Sequence, residues 1–345
     1  MSLLTEIREQ PAVLARLLAN QGGAVHEVAR AIRARRVQWV LLAARGTSDN
    51  AGLYAQYVWG ARNRLAVAMA TPSLFTHYNA PPRLDGALVV GISQSGQSPD
   101  IVSVLAEARR QGAPTLAITN QPESSLAREA DWVLDTGAGE ELAVAATKTY
   151  TTQLLAIALL SAALQADGDD LAALQRVPDA VQAGLALEGT IAEAAKHYRT
   201  MARCVVLGRG FHYATACEWA LKLEELTYAV AEPYSVADFQ HGPMAMVADG
   251  FPILAVVPGG AVYADALPVL RTAVRERGAE LVAISDQEAA LALARTPLRL
   301  NPNLPEWLVP IASIVPAQLF CYHLARAMGR DTEAPRGLAK VTRTW

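Results

Sequence analysis

Cysteine is scarce in this chain: three thiols, Cys204, Cys217 and Cys321, are spread over 345 residues with no C-x-x-C pair. That spacing excludes a disulfide framework or a zinc knuckle and suits a reducing compartment. Charge of one sign is lacking as well. The 30 Lys+Arg and 33 Asp+Glu leave a net charge of −3, so the overall field recommends neither a nucleic acid nor an anionic membrane as a partner. An anionic ligand would need a local site to hold it. The greasiest run, Leu154–Leu164, falls well short of the roughly 20 residues that span a bilayer and reads as a buried helix. The amino terminus carries Glu6, Arg8 and Glu9 where a secretion signal needs an apolar run. A soluble, cytoplasmic protein is expected.

Apolar residues make up 52% of the chain and charged residues 18%, enough for a large core in about two domains. Short apolar runs at Val37–Ala44, Leu65–Ala70, Leu88–Ile92, Thr115–Thr119 and Trp132–Leu134 alternate with amphipathic stretches such as Asp49–Trp59 and Pro99–Gln111. This alternation predicts an α/β fold with a parallel sheet covered on both faces. The pattern then returns. Val205–Gly210 repeats Leu41–Gly46, and Ile253–Gly260 repeats Val89–Gly96, both 164 positions on; Gly278–Ser285 repeats Gly112–Thr119 at 166. Two tandem copies of one doubly wound, flavodoxin-like domain follow. The expected divisions are N-terminal helices over 1–36, a first domain over 37–166, a linking helix over 167–199, a second domain over 200–330 and a tail over 331–345.

The copies differ where chemistry is expected. Ligands of open α/β sheets bind beyond the carboxyl ends of the strands. There the first copy has Ser93-Gln94-Ser95-Gly96-Gln97-Ser98, and the second has Val257-Pro258-Gly259-Gly260 opposite the first four. Ser98 suits a helix N-cap and Pro99 the first helical position. Backbone N–H groups and the Ser93, Ser95 and Ser98 hydroxyls can then cradle a phosphate without a lysine. Gly46-Thr47-Ser48, at the end of the first strand, should lie alongside. Asp100 is an awkward neighbour for an anion unless its side chain turns away.

In the second copy Glu218, Lys222 and Glu225 share one helical face at i, i+4 and i+7. Surface ion pairs would explain them, but Trp219, Leu221, Leu223 and Leu226 surround them, and a carboxylate among apolar neighbours is a candidate proton carrier. Sixteen residues after Glu225 comes His241-Gly242-Pro243, an imidazole on a turn, where it can exchange protons near neutral pH. Lys340 follows Leu338-Ala339 near the end. A lysine approached by apolar residues is a candidate for Schiff-base chemistry. His212/Cys217 and Cys321/His323 read as core or surface residues, and no metal or cofactor is expected.

Ser93-Gln94-Ser95-Gly96, Gly46-Thr47-Ser48, Ala146-Thr147-Lys148 and Thr151-Thr152-Gln153, with the A-L-K-L-x-E, H-G-P and L-A-K motifs, resemble the sugar-isomerase (SIS) family over nearly the whole chain. The likeness is greatest to the isomerase half of glutamine–fructose-6-phosphate amidotransferases. The resemblance implies phosphate binding by Ser93, Gln94, Ser95 and Ser98 with Gly46 and Thr47, and sugar contacts at Val144, Ala146 and Ala339. It implies that Glu225 moves a proton between C1 and C2, that Lys222 supports it, that Lys340 bonds the open-chain carbonyl, and that His241 assists ring opening from a neighbouring subunit, hence a homodimer. Three positions depart from the pattern: Gln97 stands where a Glu is common, Ala146 where the synthase has Ser, and Glu224 where it has Lys. A glutamine-hydrolysing half is not expected, since residue 2 is Ser and residues 1–36 are too few. The leading expectation is a glucosamine-6-phosphate deaminase. The alternatives are an enzyme of galactosamine 6-phosphate or of a phosphorylated fructosyl-amino acid, and a non-catalytic sugar-phosphate sensor.

Overall fold

Short continuous apolar runs such as Ala87–Ser93, buried at every position, suit strands covered on both faces. In the computed structural model, which describes residues 2–165 and 168–340, they form two five-stranded parallel sheets. Residues 166, 167 and 341–345, which fall in the expected domain boundary and tail, lie outside the described residues. The first sheet holds β1 (Trp39–Ala43), β2 (Ala66–Met69), β3 (Ala87–Ser93), β4 (Thr115–Thr119) and β5 (Trp132–Asp135) in the order β2-β1-β3-β4-β5. The second holds β6 (Arg203–Gly208), β7 (Val230–Ser235), β8 (Pro252–Val256), β9 (Glu280–Ser285) and β10 (Thr296–Arg299) in the order β10-β9-β8-β6-β7. Read from the other edge, that is the same order.

The repeat holds to the residue. Leu41 pairs with Val89 across β1 and β3, and Val205 with Ile253 across β6 and β8, each 164 positions on. Helix Thr47–Asn63 recurs as Phe211–Thr227. Both start on a glycine with positive φ, Gly46 at 55° and Gly210 at 60°, and both end on a left-handed residue, Arg64 or Tyr228. The sharp strand-to-helix turn is what requires glycine there.

The chain folds as two compact units. A first-copy unit takes Ala12–Glu141, Lys148–Gln175 and the tail from Ala339; a second-copy unit takes the residues up to Pro11, Leu142–Thr147 and Arg176–Leu338. Strand alternation sends neighbouring side chains to opposite faces. In the first-copy unit Leu41, Ala43, Val89 and Ala117 face helix Pro99–Arg110 through Ile101, Val104 and Leu105. On the other face helix Thr47–Asn63 packs on helix Lys148–Gln165, the buried helix expected around Leu154–Leu164.

In the second-copy unit Val205, Leu207, Ile253 and Ala255 face Val236, Phe239 and helix Tyr263–Arg275. Helix Phe211–Thr227 packs on helix Val309–Ala327, with Trp219 edge-on to Phe320 at 5.8 Å and the Cys321 thiol directed at the Trp219 carbonyl. The stretch Glu306–Ala327 is the one helix among the described residues long and apolar enough to cross a membrane, and 89% of its apolar window is buried inside the protein. It is longer than the run that stood out in the sequence. Between the copies the described residues form three short helices, Gly168–Gln175, Val177–Leu185 and Glu188–His197, where one was expected. Pro178, at the first turn of helix Val177–Leu185, where its missing N–H costs nothing, marks one break.

Candidate active site

The strand order reverses direction between β1 and β3, and that switch point is where a 2-1-3-4-5 sheet opens a crevice. Gly46 and Thr47 leave β1 there and Ser93–Ser98 leaves β3. Ser93 Oγ accepts the Gly96 N–H at 3.1 Å, and Ser95 Oγ accepts the Gln97 N–H at 3.3 Å. Those two amides are therefore engaged inside the loop, and the serine O–H groups remain to donate outward. Ser98 occupies the N-cap of helix Pro99–Arg110 without a side-chain cap bond, so its hydroxyl is also left for a ligand. The Gln94 carbonyl accepts the Asn120 N–H at 3.2 Å and ties the loop to the end of β4. Gly96 sits at φ 60°, and a Cβ there would lie 2.1 Å from Ser124 Oγ. Only glycine allows this approach.

Asp100 does not spoil the cradle. It is buried, with one oxygen accepting from Arg45 Nε at 2.8 Å and the other from the Ile101 N–H at 2.9 Å. Ser48 is taken too: its hydroxyl accepts from the buried Gln153 amide at 3.0 Å. Of the Gly46-Thr47-Ser48 segment, Gly46 is exposed and Thr47 half-buried.

The equivalent crevice of the second-copy unit is closed by its own carboxylates. Asp286 accepts the Gly259 N–H at 2.7 Å, and Glu306 accepts the Ala261 N–H at 2.9 Å. The Glu306 carboxyl also fills the space beside Gly260, where a Cβ would meet it at 2.3 Å. An anion entering there would displace two bonds and face like charge.

The second-copy unit instead carries a buried charge cluster. Glu218 and Lys222 are essentially inaccessible, and Glu225 is partly open with its side chain 22% exposed. Lys222 Nζ donates to Glu225 and lies 3.5 Å from Glu218. Burial pulls the Lys222 ammonium down, but the two carboxylates outweigh it and hold the group above its usual range. Lys222 is thus a fixed cation, and Glu225 is the member of the cluster open to a ligand. At the matching positions of helix Thr47–Asn63 stand Tyr54, Val58 and Ala61. The fold itself needs no charge there, and buried charge costs several kcal/mol per ion before pairing. Glu224 is exposed.

Lys340 belongs to the first-copy unit. Its expected apolar approach, Leu338 and Ala339, is exposed; its neighbour is instead Glu141, which accepts from Nζ at 2.8 Å. Glu141 is buried and also accepts the Thr149 N–H at 3.1 Å and the Thr149 hydroxyl at 2.7 Å. No sequence pattern pointed to Glu141, since its partner is 199 positions away.

Val144 and Ala146 are half-buried between buried Ala143, Ala145 and Thr147, an alternation that turns them to one side. Glu6, from helix Leu3–Asn20, holds this segment through the Leu142 and Ala143 N–H groups at 2.6 and 3.3 Å. Gln318, itself bonded by Gln10, donates to the Thr147 carbonyl at 3.4 Å. These three anchors were not singled out in the sequence. The one available signal was polar residues on an otherwise apolar helical face.

His241 ends helix Val236–Gln240 and is exposed. It follows the carboxyl end of β7, whereas Glu225 sits in the last turn of helix Phe211–Thr227. The helix rises about 21 Å between Phe211 and Glu225, at 1.5 Å per residue. Val236 and Phe239 pack on the sheet face opposite to that helix. Within the second-copy unit, the helix that ends at His241 and the helix that carries Glu225 thus pack on opposite faces of the sheet.

SIS-domain models match residues 35–163 and 197–328, so the chain belongs to the SIS-domain family, twice over. It is 37% identical over 319 residues to the glutamine–fructose-6-phosphate aminotransferase (isomerizing) of Bordetella parapertussis, covering 89% of this chain and 52% of that protein. Against the same enzyme of Symbiobacterium thermophilum it is 35% identical over 357 residues, covering 98% and 58%. The chain therefore spans about half the length of these relatives. The solved C-terminal domain of the Francisella tularensis glucosamine-fructose-6-phosphate aminotransferase superposes with a TM-score of 0.86 at 30% identity, over 96% of this chain and 98% of that one. A glucosamine-6-phosphate deaminase from Thermotoga maritima shares the fold, with a TM-score of 0.79 at 20% identity over the full length of both chains.

Proposed function

We propose that this protein is an aldose–ketose isomerase of amino-sugar phosphates acting as a deaminase: glucosamine 6-phosphate and water become fructose 6-phosphate and ammonia. The observation that carries it is the buried Glu218–Lys222–Glu225 cluster standing where the duplicate helix has Tyr54, Val58 and Ala61. Ion pairing this deep serves chemistry rather than folding. Ser93, Ser95, Ser98, Gln94, Gly46 and Thr47 hold the phosphate, and Val144, Ala146 and Ala339 line the sugar. Glu225, kept in place by Lys222, removes the C2 proton of the open-chain aldehyde and returns it to C1. The resulting C2 imine takes up water and releases ammonia. Lys340 Nζ condenses with the C2 carbonyl of the open-chain ketose, expelling water, and hydrolysis of that imine returns the ketone and the free amine.

His241 completes the site from a second copy of the chain, a reading supported by the opposite sheet faces on which its helix and that of Glu225 pack within one unit. The active form is then a homodimer.

Purified protein given glucosamine 6-phosphate should release ammonia and fructose 6-phosphate in equal amounts, and Glu225→Gln should bind the sugar phosphate without turning it over. Binding without turnover by the parent protein would refute the enzyme and favour a sensor. A panel including galactosamine 6-phosphate and phosphorylated fructosyl-amino acids reads out the preference set near Ala146. Mixed Glu225→Gln and His241→Asn chains should recover activity up to about a quarter of the parent level, the statistical limit for one intact shared site in a mixed dimer. Exchange of subunits without recovery would overturn the shared site.

A further inference from the structure

The tail lysine is held by a carboxylate that neither its own motif nor the helical cluster includes. Glu141 lies past the carboxyl end of β5, buried down to its side-chain oxygens. Three donors converge on it: the Thr149 N–H, the Thr149 hydroxyl and Lys340 Nζ. Two of these belong to the first turn of helix Lys148–Gln165, whose positive end favours an anion. Lys340 stands on a stretch with no helix or strand whose preceding residues, Arg336 to Ala339, are exposed. A buried carboxylate with one oxygen turned to the lysine of such a stretch is a docking point for that lysine.

We propose that Glu141 is a positioning residue for Lys340: its carboxylate docks the ammonium and so fixes where the tail presents Nζ to a sugar carbonyl. The assignment rests on the reading of Lys340 as the carbonyl-binding group, but the docking itself can be tested without any sugar. Substitution of Glu141 by Gln keeps the size and removes the charge. The ion pair with Nζ is lost, and the NH2 that replaces one oxygen can accept from neither Thr149 nor Lys340, so the lysine is held more weakly. The phosphate loop lies on other strands and keeps its bonds. The defect should therefore appear in kcat and not in KM.

The chain has only four lysines, Lys148, Lys196, Lys222 and Lys340. Lys148 and Lys222 are buried, whereas the Lys196 side chain is 61% exposed and serves as an internal reference. Trace acetylation of the full chain with acetic anhydride, read by peptide mass spectrometry, gives the Lys340/Lys196 labelling ratio. That ratio should rise about tenfold in Glu141→Gln, as expected on losing a charge-assisted hydrogen bond. It should return towards the parent value in Glu141→Asp, which restores the charge. In parallel, borohydride trapping of fructose 6-phosphate on the Lys340 peptide should fall about tenfold in Glu141→Gln, with kcat falling alike and KM unchanged. An unchanged labelling ratio overturns the proposal. A raised ratio with no turnover or trapping in the parent protein would instead refute the sugar chemistry and leave the docking intact. Should Glu141→Gln not fold, Thr149→Val removes one of the bonds that hold the carboxylate. It should raise the ratio by about threefold, and no rise would again overturn the proposal.

Discussion

Replacing Lys222 by Met tests whether the buried cluster is a cost to the fold. Met matches the lysine stem in length and fills the same buried space, so packing changes little. What changes is charge. Glu218, fully buried, loses the cation 3.5 Å away; Glu225, partly open to solvent, can rehydrate. Breaking a buried pair by removing one partner typically costs about 3–5 kcal/mol, and nearly all of it should come from Glu218. The duplicate helix offers the control, since Tyr54 and Val58 at the matching positions are buried and neutral. The double substitution Glu218→Leu/Lys222→Met leaves no buried charge and should recover all but about 1–2 kcal/mol of that loss. Urea unfolding at pH 7, with circular dichroism as the signal, measures both. The double variant should remain folded yet show no turnover, because Glu225 has lost its support. A single substitution costing under about 1 kcal/mol, or a double variant no more stable than the single one, would refute the reasoning.

Three further outcomes follow from the same geometry. His212 is buried with neither ring nitrogen hydrogen-bonded among the described residues, and burial lowers its pKa to about 4. The unfolded chain protonates it near 6.5, so stability present above pH 6.5 is lost between pH 6.5 and 4, up to about 3 kcal/mol; urea midpoints across that range should flatten in His212→Leu, and an unchanged slope would exclude His212 as the source. Gly96→Ala puts a Cβ 2.1 Å from Ser124 Oγ at φ 60° and should weaken inorganic phosphate binding at least about tenfold by calorimetry, the loss expected from disturbing a charge-assisted bond or more. Arg45→Ala leaves the Asp100 carboxylate unpaired beneath the loop and should cost phosphate affinity about tenfold, restored by the added change Asp100→Asn; failure of that rescue would show that Arg45 meets the anion itself.

Much of the architecture was readable because it depends on local rules. Apolar strands separated by amphipathic helices, repeated at a fixed offset, imply two parallel sheets of like order, and the registers agree to the residue. The serine loop stood out because only one copy has it, and the Glu218, Lys222 and Glu225 stripe because three charges share a face among apolar neighbours. Burial could not be read from that stripe: the same spacing describes a solvated surface, and only packing against helix Val309–Ala327 makes it a buried cluster.

The partners of the charged and polar groups were settled by tertiary structure alone. Glu141 meets Lys340, Glu6 meets the Leu142 and Ala143 amides, and Asp100 meets Arg45 across 199, 136 or more, and 55 positions. Hydrogen bonds at such separations leave no periodic trace, because a single carboxylate needs no neighbours in sequence to be bonded in space. Periodicity and turn chemistry, encoded within a few residues, specify the sheets, the duplication, and which copy carries the hydroxyls and which the Glu218, Lys222 and Glu225 stripe. Closure of the second crevice by Asp286 and Glu306, the pairing of Asp100 with Arg45 and the contact of Lys340 with Glu141 depend instead on distances between segments that meet only in the folded chain.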